Sequence, residues 1–178
     1  MTSKAYPFFS ACSVRLGMAA LMFSGLCLAA SPPSSAIDGA QTAAQWPPQE
    51  FLGRWTGDGR LGFKDGKFEA VTCRVTYIAE EAIKLKQSVR CATAGAKIEV
   101  LSTIAETAGA LSGTWTETVY DMKGEISGRR TDQGFRVEVK SDRLAANMDL
   151  LLIDDTQLVE IQFHDSTLLG LTLKLKKG

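Results

Sequence analysis

Apolar and polar residues alternate one by one through most of the chain after residue 51. In "FRVEVK" (135–140) the odd-numbered positions are apolar and the even-numbered positions are charged. The same alternation runs through "LVEIQFH" (158–164) and "LTLKLKK" (171–177). Because successive side chains of a β-strand point to opposite faces, this period of two predicts half-buried strands. No segment longer than one or two helical turns has apolar residues at the spacing of a helix face, so an all-β fold is expected.

Turn signals separate these runs at short intervals. "KDGK" (64–67) places Asp-Gly between two apolar segments, which is a strong hairpin signal. The segment 142–147 is the one place where a helical turn is expected. Further turns are predicted near Glu81, Gly95, Gly109, Gly124, Gly134 and Asp155.

Consecutive strands joined by short links predict a meander. An open meander leaves backbone groups of its two edge strands unpaired. Closing the sheet removes exposed edges, which otherwise pair with other chains. We therefore predict an antiparallel up-and-down meander of about eight to ten strands that closes into a small barrel. This single β-barrel domain is expected over residues 51–178, and an open two-sheet sandwich is the alternative.

Two cysteines of the predicted barrel lie at matching positions of neighbouring strands. If the turn is centred on Ala82, Val75 faces Val89 and Cys73 faces Cys91. The register that pairs the apolar positions therefore also pairs the cysteines. In an oxidising compartment this predicts a structural disulfide across the hairpin. A redox-active pair or a metal site is the alternative.

The N-terminus has the pattern of a secretory signal. Lys4 and Arg15 are positive, an uncharged apolar run covers 16–30, and small residues and prolines fill 31–36. Positive charge, a short apolar run and small residues, in that order, predict a signal peptide over residues 1–36. Cleavage is expected after position 30 or 36, and a retained N-terminal anchor is the alternative. A lipid on Cys27 is disfavoured because the preceding residue is not small.

Charge and composition limit the kinds of partner that the mature chain can bind. Of 20 basic residues, Lys4 and Arg15 lie in the signal, which leaves 18 against 20 acidic residues. This balance provides no basic field for nucleic acid, and no long apolar stretch follows residue 36. We expect a periplasmic or secreted protein with no transmembrane segment and no nucleic-acid partner. Residues 37–50, polar and closed by Pro47-Pro48, are expected to form a flexible arm.

The residues needed for catalysis are scarce. His164 is the only histidine, which excludes a metal site built from several histidines. The sequence "HDS" (164–166) contains the residue types of a catalytic triad. Neighbouring residues on a strand point to opposite faces, however, so these three do not converge. We expect that the protein is not an enzyme and that it has no cofactor.

The glycine-rich stretch "FLGRWTGDGRLGF" (51–63) raises the question of a phosphate-binding loop. Its spacing fits neither G-x-G-x-x-G nor G-x-x-x-x-G-K-[ST]. A hairpin and another strand follow it, so the helix N-terminus that binds phosphate is absent. The stretch is therefore predicted to be a bent barrel strand, since glycine permits sharp bends and close approach of backbones.

Two strands carry the same Gly-x-Trp-Thr motif. It occurs in "LGRWTG" around Trp55 and in "LSGTWTETVY" around Trp115. Both tryptophans are predicted to point into the barrel near one end, where they either line a cavity or plug it.

A Gly-x-Trp start to a secreted antiparallel meander resembles the calycin superfamily, which includes lipocalins, fatty-acid-binding proteins and avidins. The chain also resembles the small periplasmic metalloprotease inhibitors of bacteria, which have a related barrel, one disulfide and a mobile N-terminal arm. In lipocalins a basic residue from the last strand packs across the tryptophan. The resemblance implies that Lys174 or Lys176 has this role here.

We expect a lipocalin-like protein that binds a small apolar or amphipathic ligand inside the barrel. Trp55, Trp115, Glu117 and Arg130 are the candidate binding residues, because Glu117 shares the inward parity of Trp115 and a buried charge needs a partner. One alternative is a protein–protein module, such as a metalloprotease inhibitor that acts through the arm. The other is a ligand-free structural protein of the envelope.

Overall fold

Ten antiparallel strands make up nearly all of the described chain. The computed structural model describes residues 46–81, 83–164 and 166–178. The predicted signal peptide, Cys27 and positions 37–45 of the predicted arm lie outside these residues. The strands are β1 (Gly53–Phe63), β2 (Phe68–Glu80), β3 (Lys84–Ala92), β4 (Lys97–Thr107), β5 (Ala110–Glu117), β6 (Met122–Thr131), β7 (Gly134–Lys140), β8 (Ala145–Ile153), β9 (Thr156–His164) and β10 (Leu168–Lys177).

The sheet closes on itself, as the meander predicted. Each strand pairs with its neighbour in sequence, and β1 pairs with β10. Along this closing seam Trp55 lies opposite Lys177, and Leu61 lies opposite Leu171. The prediction of a closed barrel is confirmed, and the two-sheet sandwich is wrong for this chain.

The apolar residues of the alternating sequence pattern point into the barrel, and the polar residues point outward. On β7, Phe135 and Val137 are buried while Arg136 and Glu138 are exposed. The other strands of the core follow the same parity. The buried core includes Val71, Val75, Leu85, Ile104, Leu111, Ile126, Leu150, Val159, Leu171, Leu173 and Leu175.

Aromatic side chains seal one end of the barrel, which we call the closed end. A 3-10 helix (Gln49–Phe51) precedes β1 there. Phe51 contacts the ring of Tyr77 edge-on, with centroids 6.0 Å apart, and lies 5.7 Å from the ring of Phe135. Trp46 is also buried. The last residues of the predicted arm, 46–50, therefore pack against the barrel.

Two local predictions were wrong. Gly124 lies within β6, and the connection between β5 and β6 falls at 118–121. Gly124 pairs with Trp115 of β5, and its missing side chain leaves room for the carbonyl oxygen of Lys140 and for Trp115 Nε1, so this glycine serves close packing and not a turn. The segment 142–147 holds no helical turn, since β8 begins at Ala145. Pairing with β7 and β9 outweighs the weak helical preference of this short segment.

The predicted disulfide is present. Cys73 and Cys91 are bonded and lie directly opposite each other on β2 and β3. The flanking register also agrees, with Val75 opposite Val89 and Tyr77 opposite Gln87. The apolar pattern of the hairpin therefore predicted both the pairing of the strands and the covalent bond.

Removing the disulfide should destabilise the barrel. We expect the double variant Cys73→Ala/Cys91→Ala to lose about 3 kcal/mol of unfolding free energy, because the bond closes a loop with a sequence separation of 18. Urea unfolding followed by tryptophan fluorescence measures this loss. Reduced wild-type protein is the control and should unfold at the midpoint of the variant. An unchanged midpoint in the double variant would contradict the expectation.

The glycines of β1 allow the seam strand to approach β10 closely. A Cβ at Gly57 would lie 2.0 Å from the carbonyl oxygen of Lys174, and one at Gly59 would lie 1.9 Å from that of Thr172. Both obstacles are backbone atoms, which cannot rotate away as a side chain does. Gly57 and Gly59 of the opening stretch are therefore required by the geometry of the closing seam.

Alanine at position 57 should weaken the closing seam. We expect Gly57→Ala to cost about 1–3 kcal/mol, because the added methyl group forces β1 and β10 apart. Gly95→Ala is the matched control, since a Cβ there meets nothing within 4 Å. Thermal unfolding of the two variants compares them. Equal melting temperatures for both variants would refute the steric explanation.

Candidate functional site: the barrel cavity

The barrel encloses a cavity of about 180 Å³. Ile98, Leu144 and Phe163 line it beside turns opposite the closed end, and all three are partly exposed. The cavity therefore reaches this second end of the barrel. The rest of its apolar wall comes from Val75, Val89, Val100, Ile126, Val139, Met148, Leu150, Val159, Ile161, Leu171, Leu173 and Leu175.

The two tryptophans of the repeated motif occupy different places. Trp115 lines the cavity and is buried. Trp55 is not part of the cavity wall, and its side chain is fully buried. Its Nε1 donates a hydrogen bond of 2.8 Å to the carbonyl oxygen of Phe51. Trp115 is therefore placed to contact a ligand, whereas Trp55 supports the closed end.

A lysine covers Trp55, but at a position other than those implied by the resemblance. Lys177 Nζ lies 5.4 Å from the centre of the Trp55 ring and donates to the carbonyl oxygen of Glu50 at 2.8 Å. Lys174 and Lys176 lie on the outward parity of β10. The assignment to these two residues was wrong, because Lys177 is the one directly opposite Trp55 across the seam.

A chain of neutral polar side chains crosses the interior. Ser102 Oγ donates to Gln87 Oε1 at 2.8 Å, and Gln87 Nε2 donates to the Tyr77 hydroxyl at 3.3 Å. The Tyr77 hydroxyl donates in turn to Gln157 Oε1 at 3.2 Å. The first three of these residues line the cavity. They give an otherwise apolar wall one polar strip.

Burial keeps the Tyr77 hydroxyl protonated. Removal from water raises the pKa of the Tyr77 phenol above its usual range, and the hydrogen bond from Gln87 opposes this rise only in part. The hydroxyl therefore remains a donor to Gln157 throughout the physiological pH range. Because the Tyr77 hydroxyl donates to Gln157, its oxygen accepts from Gln87, and all donors of the chain point from Ser102 towards Gln157.

Four buried polar atoms have no partner among the described residues. They are Trp46 Nε1, Trp115 Nε1, Thr131 Oγ1 and Gln157 Nε2. A buried donor without a partner costs about 1–3 kcal/mol. Of these four residues, only Trp115 lines the cavity.

Glu117 has a role in the turn that follows β5. Its Oε1 accepts hydrogen bonds of 3.0 Å from the backbone N–H groups of Glu99 and Val119, and its Oε2 accepts one of 2.6 Å from Tyr120. The partners of this buried carboxylate are therefore backbone groups, and Arg130 lies elsewhere. Burial by itself would raise the pKa of Glu117, but these three hydrogen bonds outweigh burial and lower it.

Arg130 lies at the closed end. Its guanidinium carbon is 5.8 Å from the centre of the Trp46 ring. The residue borders a groove beside the 3-10 helix and is not part of the wall of the interior cavity. The structure thus brings only Trp115, of the four candidate binding residues, to the cavity.

Beyond the cavity, the described ranges contain neither a metal-binding cluster nor a membrane-spanning helix. No group of three or more His, Cys, Asp or Glu side chains among these residues could hold a metal ion. In the same ranges, no helix has the length and apolar character needed to cross a membrane. His164 is exposed at the end of β9.

Sequence reasoning missed most of the polar strip. Gln87 shares the inward parity of β3, and Ser102 and Gln157 share that of β4 and β9. Glu117 was selected because it is a polar exception at an inward position. The same criterion, applied to every strand, would have found these three residues.

Comparison with solved structures shows relatives of this fold. The structure of Rv2717c from M. tuberculosis superposes with a TM-score of 0.60 at 11% sequence identity, covering 73% of this chain and 94% of that one. The S-type phycobiliprotein lyase CPES from Guillardia theta gives a TM-score of 0.50 at 12% identity, with 72% and 89% covered. No family model matches the chain, and neither does any curated protein. The likeness concerns the fold alone, a closed antiparallel barrel.

The hydrogen bonds of Glu117 predict a pH-dependent contribution to stability. Because folding lowers its pKa, the carboxylate stabilises the protein above the ordinary carboxyl pKa of 4.5, and this contribution is lost as the pH falls through the folded-state value. We expect Glu117→Gln to cost about 2 kcal/mol at neutral pH. The difference from wild type should shrink steadily below pH 4.5.

Urea unfolding at a series of pH values measures this dependence. Glu125→Gln is the control, because Glu125 is exposed on the outer face of β6. Its difference from wild type should be small across the series. A Glu117→Gln effect of equal size at acidic and neutral pH would rule out the assigned role of the charge.

Proposed function

We propose that this protein is an exported, non-catalytic barrel that binds a small apolar molecule in its interior. The observation that carries the proposal is the cavity of about 180 Å³ with a largely apolar wall. An apolar cavity of about 150 Å³ holds a molecule the size of benzene. The volume here therefore suits a ligand with about one ring and is small for a drug-sized or long-chain molecule.

The energetics of the cavity favour ligand binding over a purely structural role. Leaving this volume unfilled costs stability, because the wall residues lack the contacts that a filled core would give them. A structural protein gains nothing from this cost. A binding protein recovers part of it when a ligand restores the missing contacts with the wall.

The character of the wall supports a binding role without catalysis. The residues that line the cavity are aliphatic, aromatic or neutral polar, and Cys91 is held in the disulfide. Export is supported by the disulfide, which is typical of oxidising compartments, and by the charge and apolar pattern of residues 1–36.

The alternative of a protease inhibitor depends on residues 37–50. Within this segment, residues 46–50 pack at the closed end, where Trp46 is buried. Gln49 and Glu50 remain exposed there, so an inhibitory contact through the arm would rest on these two residues or on residues 37–45. The cavity is the stronger observation, and it supports ligand binding.

Filling the cavity should abolish binding of an apolar probe. We expect wild-type protein to bind p-xylene, detected by chemical-shift changes in Val139, Ile161 and their neighbours in NMR titrations. Ile161→Trp should remove these changes, because the larger ring occupies the cavity from β9. The matched control is Leu158→Trp on the outer face of the same strand, where Leu158 is 38% exposed.

The control variant should bind p-xylene as wild type does. Thermal unfolding checks that both variants fold. If wild-type protein shows no shift change in the lining residues, the proposed function fails. Equal binding by the folded Ile161→Trp variant would place the probe outside the cavity and would also contradict the proposal.

A further inference from the structure

Two neutral polar side chains form a pair on the cavity wall. Gln87 on β3 and Ser102 on β4 lie directly opposite each other in the sheet. Both line the cavity, and both occupy inward positions between apolar residues. We call this pair the polar spot.

The polar spot has one unused donor hydrogen and several unused acceptor lone pairs. A glutamine NH₂ carries two hydrogens, and Gln87 Nε2 uses one of them for the Tyr77 hydroxyl. Ser102 uses its hydroxyl hydrogen for Gln87 Oε1, which leaves its oxygen lone pairs for a further hydrogen bond. Within the described chain, no hydrogen bond engages the second Gln87 hydrogen or donates to Ser102 Oγ.

Hydrogen bonds behind the polar spot hold it in place. The Tyr77 hydroxyl accepts from Gln87 and donates to Gln157, which is fully buried on β9. Tyr77 itself is fixed by the edge-on contact with Phe51 at the closed end. The spot is therefore preorganised, which lowers the entropic cost of binding a polar group.

The surroundings of the polar spot determine the charge of its ligand. The described side chains that line the cavity are all uncharged. A carboxylate or an ammonium group would lose its hydration there without gaining a counter-ion, which is strongly unfavourable. A neutral group with both a donor and an acceptor can use both free positions of the spot.

We propose that the ligand is a neutral molecule of about one ring with a single hydroxyl group, which accepts from Gln87 Nε2 and donates to Ser102 Oγ. This inference rests on the proposed function, because it concerns the same cavity. The hydroxyl orients the ligand against β3 and β4, and the apolar wall encloses the remainder. Alcohols and phenols of this size are the matching chemical class.

The test compares p-cresol with p-xylene, which differ by a hydroxyl in place of a methyl group. We expect Ser102→Ala to weaken p-cresol binding about fivefold and to leave p-xylene binding unchanged, since one net hydrogen bond is lost. Gln87→Leu should act in the same direction. The control is Ser112→Ala, which removes an exposed hydroxyl on β5 and should change neither affinity.

The outcomes separate this inference from the proposed function. If p-xylene and p-cresol both bind but neither variant changes their affinity ratio, the polar spot has no role in recognition and the proposed function stands. If p-toluate binds as tightly as p-cresol, the requirement for a neutral ligand is wrong. If none of the three probes binds, the proposed function fails.

A second measurement uses only wild-type protein and so does not depend on the folding of a variant. The side-chain NH₂ resonances of Gln87 should shift more on addition of p-cresol than on addition of p-xylene, because the hydrogen bond to the p-cresol hydroxyl adds to the ring-current effect that both compounds have on this lining residue. Shifts of equal size with both compounds would overturn the proposed hydrogen bond.

Discussion

Hydrogen bonding between β1 and β10 closes the sheet, and the remaining features of the barrel depend on this seam. Closure gives every strand two neighbours and leaves no free edge. It requires the backbones to approach where Gly57 and Gly59 lie, since a side chain at either position would meet the carbonyl oxygens of β10. It also places Lys177 opposite Trp55, which connects the last strand to the packing of the closed end.

The two ends of the barrel differ in how completely their inward residues are packed. At the closed end, Phe51, Tyr77 and Trp55 pack tightly and satisfy most of their polar atoms. Towards the other end, inward residues such as Ile98 and Phe163 stay partly exposed around the cavity. Unfilled volume weakens a core, and the aromatic packing of the closed end and the disulfide add stability beside it.

Local periodicity explains why so much of the fold was predictable. A period of two identifies the inward face of each strand, and a tight turn determines the register of the next strand. The register of Val75 and Val89 thus located the disulfide. Prediction was wrong where packing between strands decides the outcome. Gly124 leaves room for the backbone of β7 and for Trp115, so it lies within a strand and not in a turn. Closure of the seam selects Lys177 over Lys174 and Lys176.

The sequence by itself determined the all-β class, the pairing of consecutive strands and the disulfide, because these depend on side-chain parity and short-range turns. Only the tertiary structure decided whether the interior is filled or hollow, since a cavity is the difference between the enclosed volume and the summed volumes of side chains from every strand. It likewise brought Tyr77, Gln87, Ser102 and Gln157 into one hydrogen-bond chain. These residues come from separate strands, and only closure of the barrel joins β9 to β2.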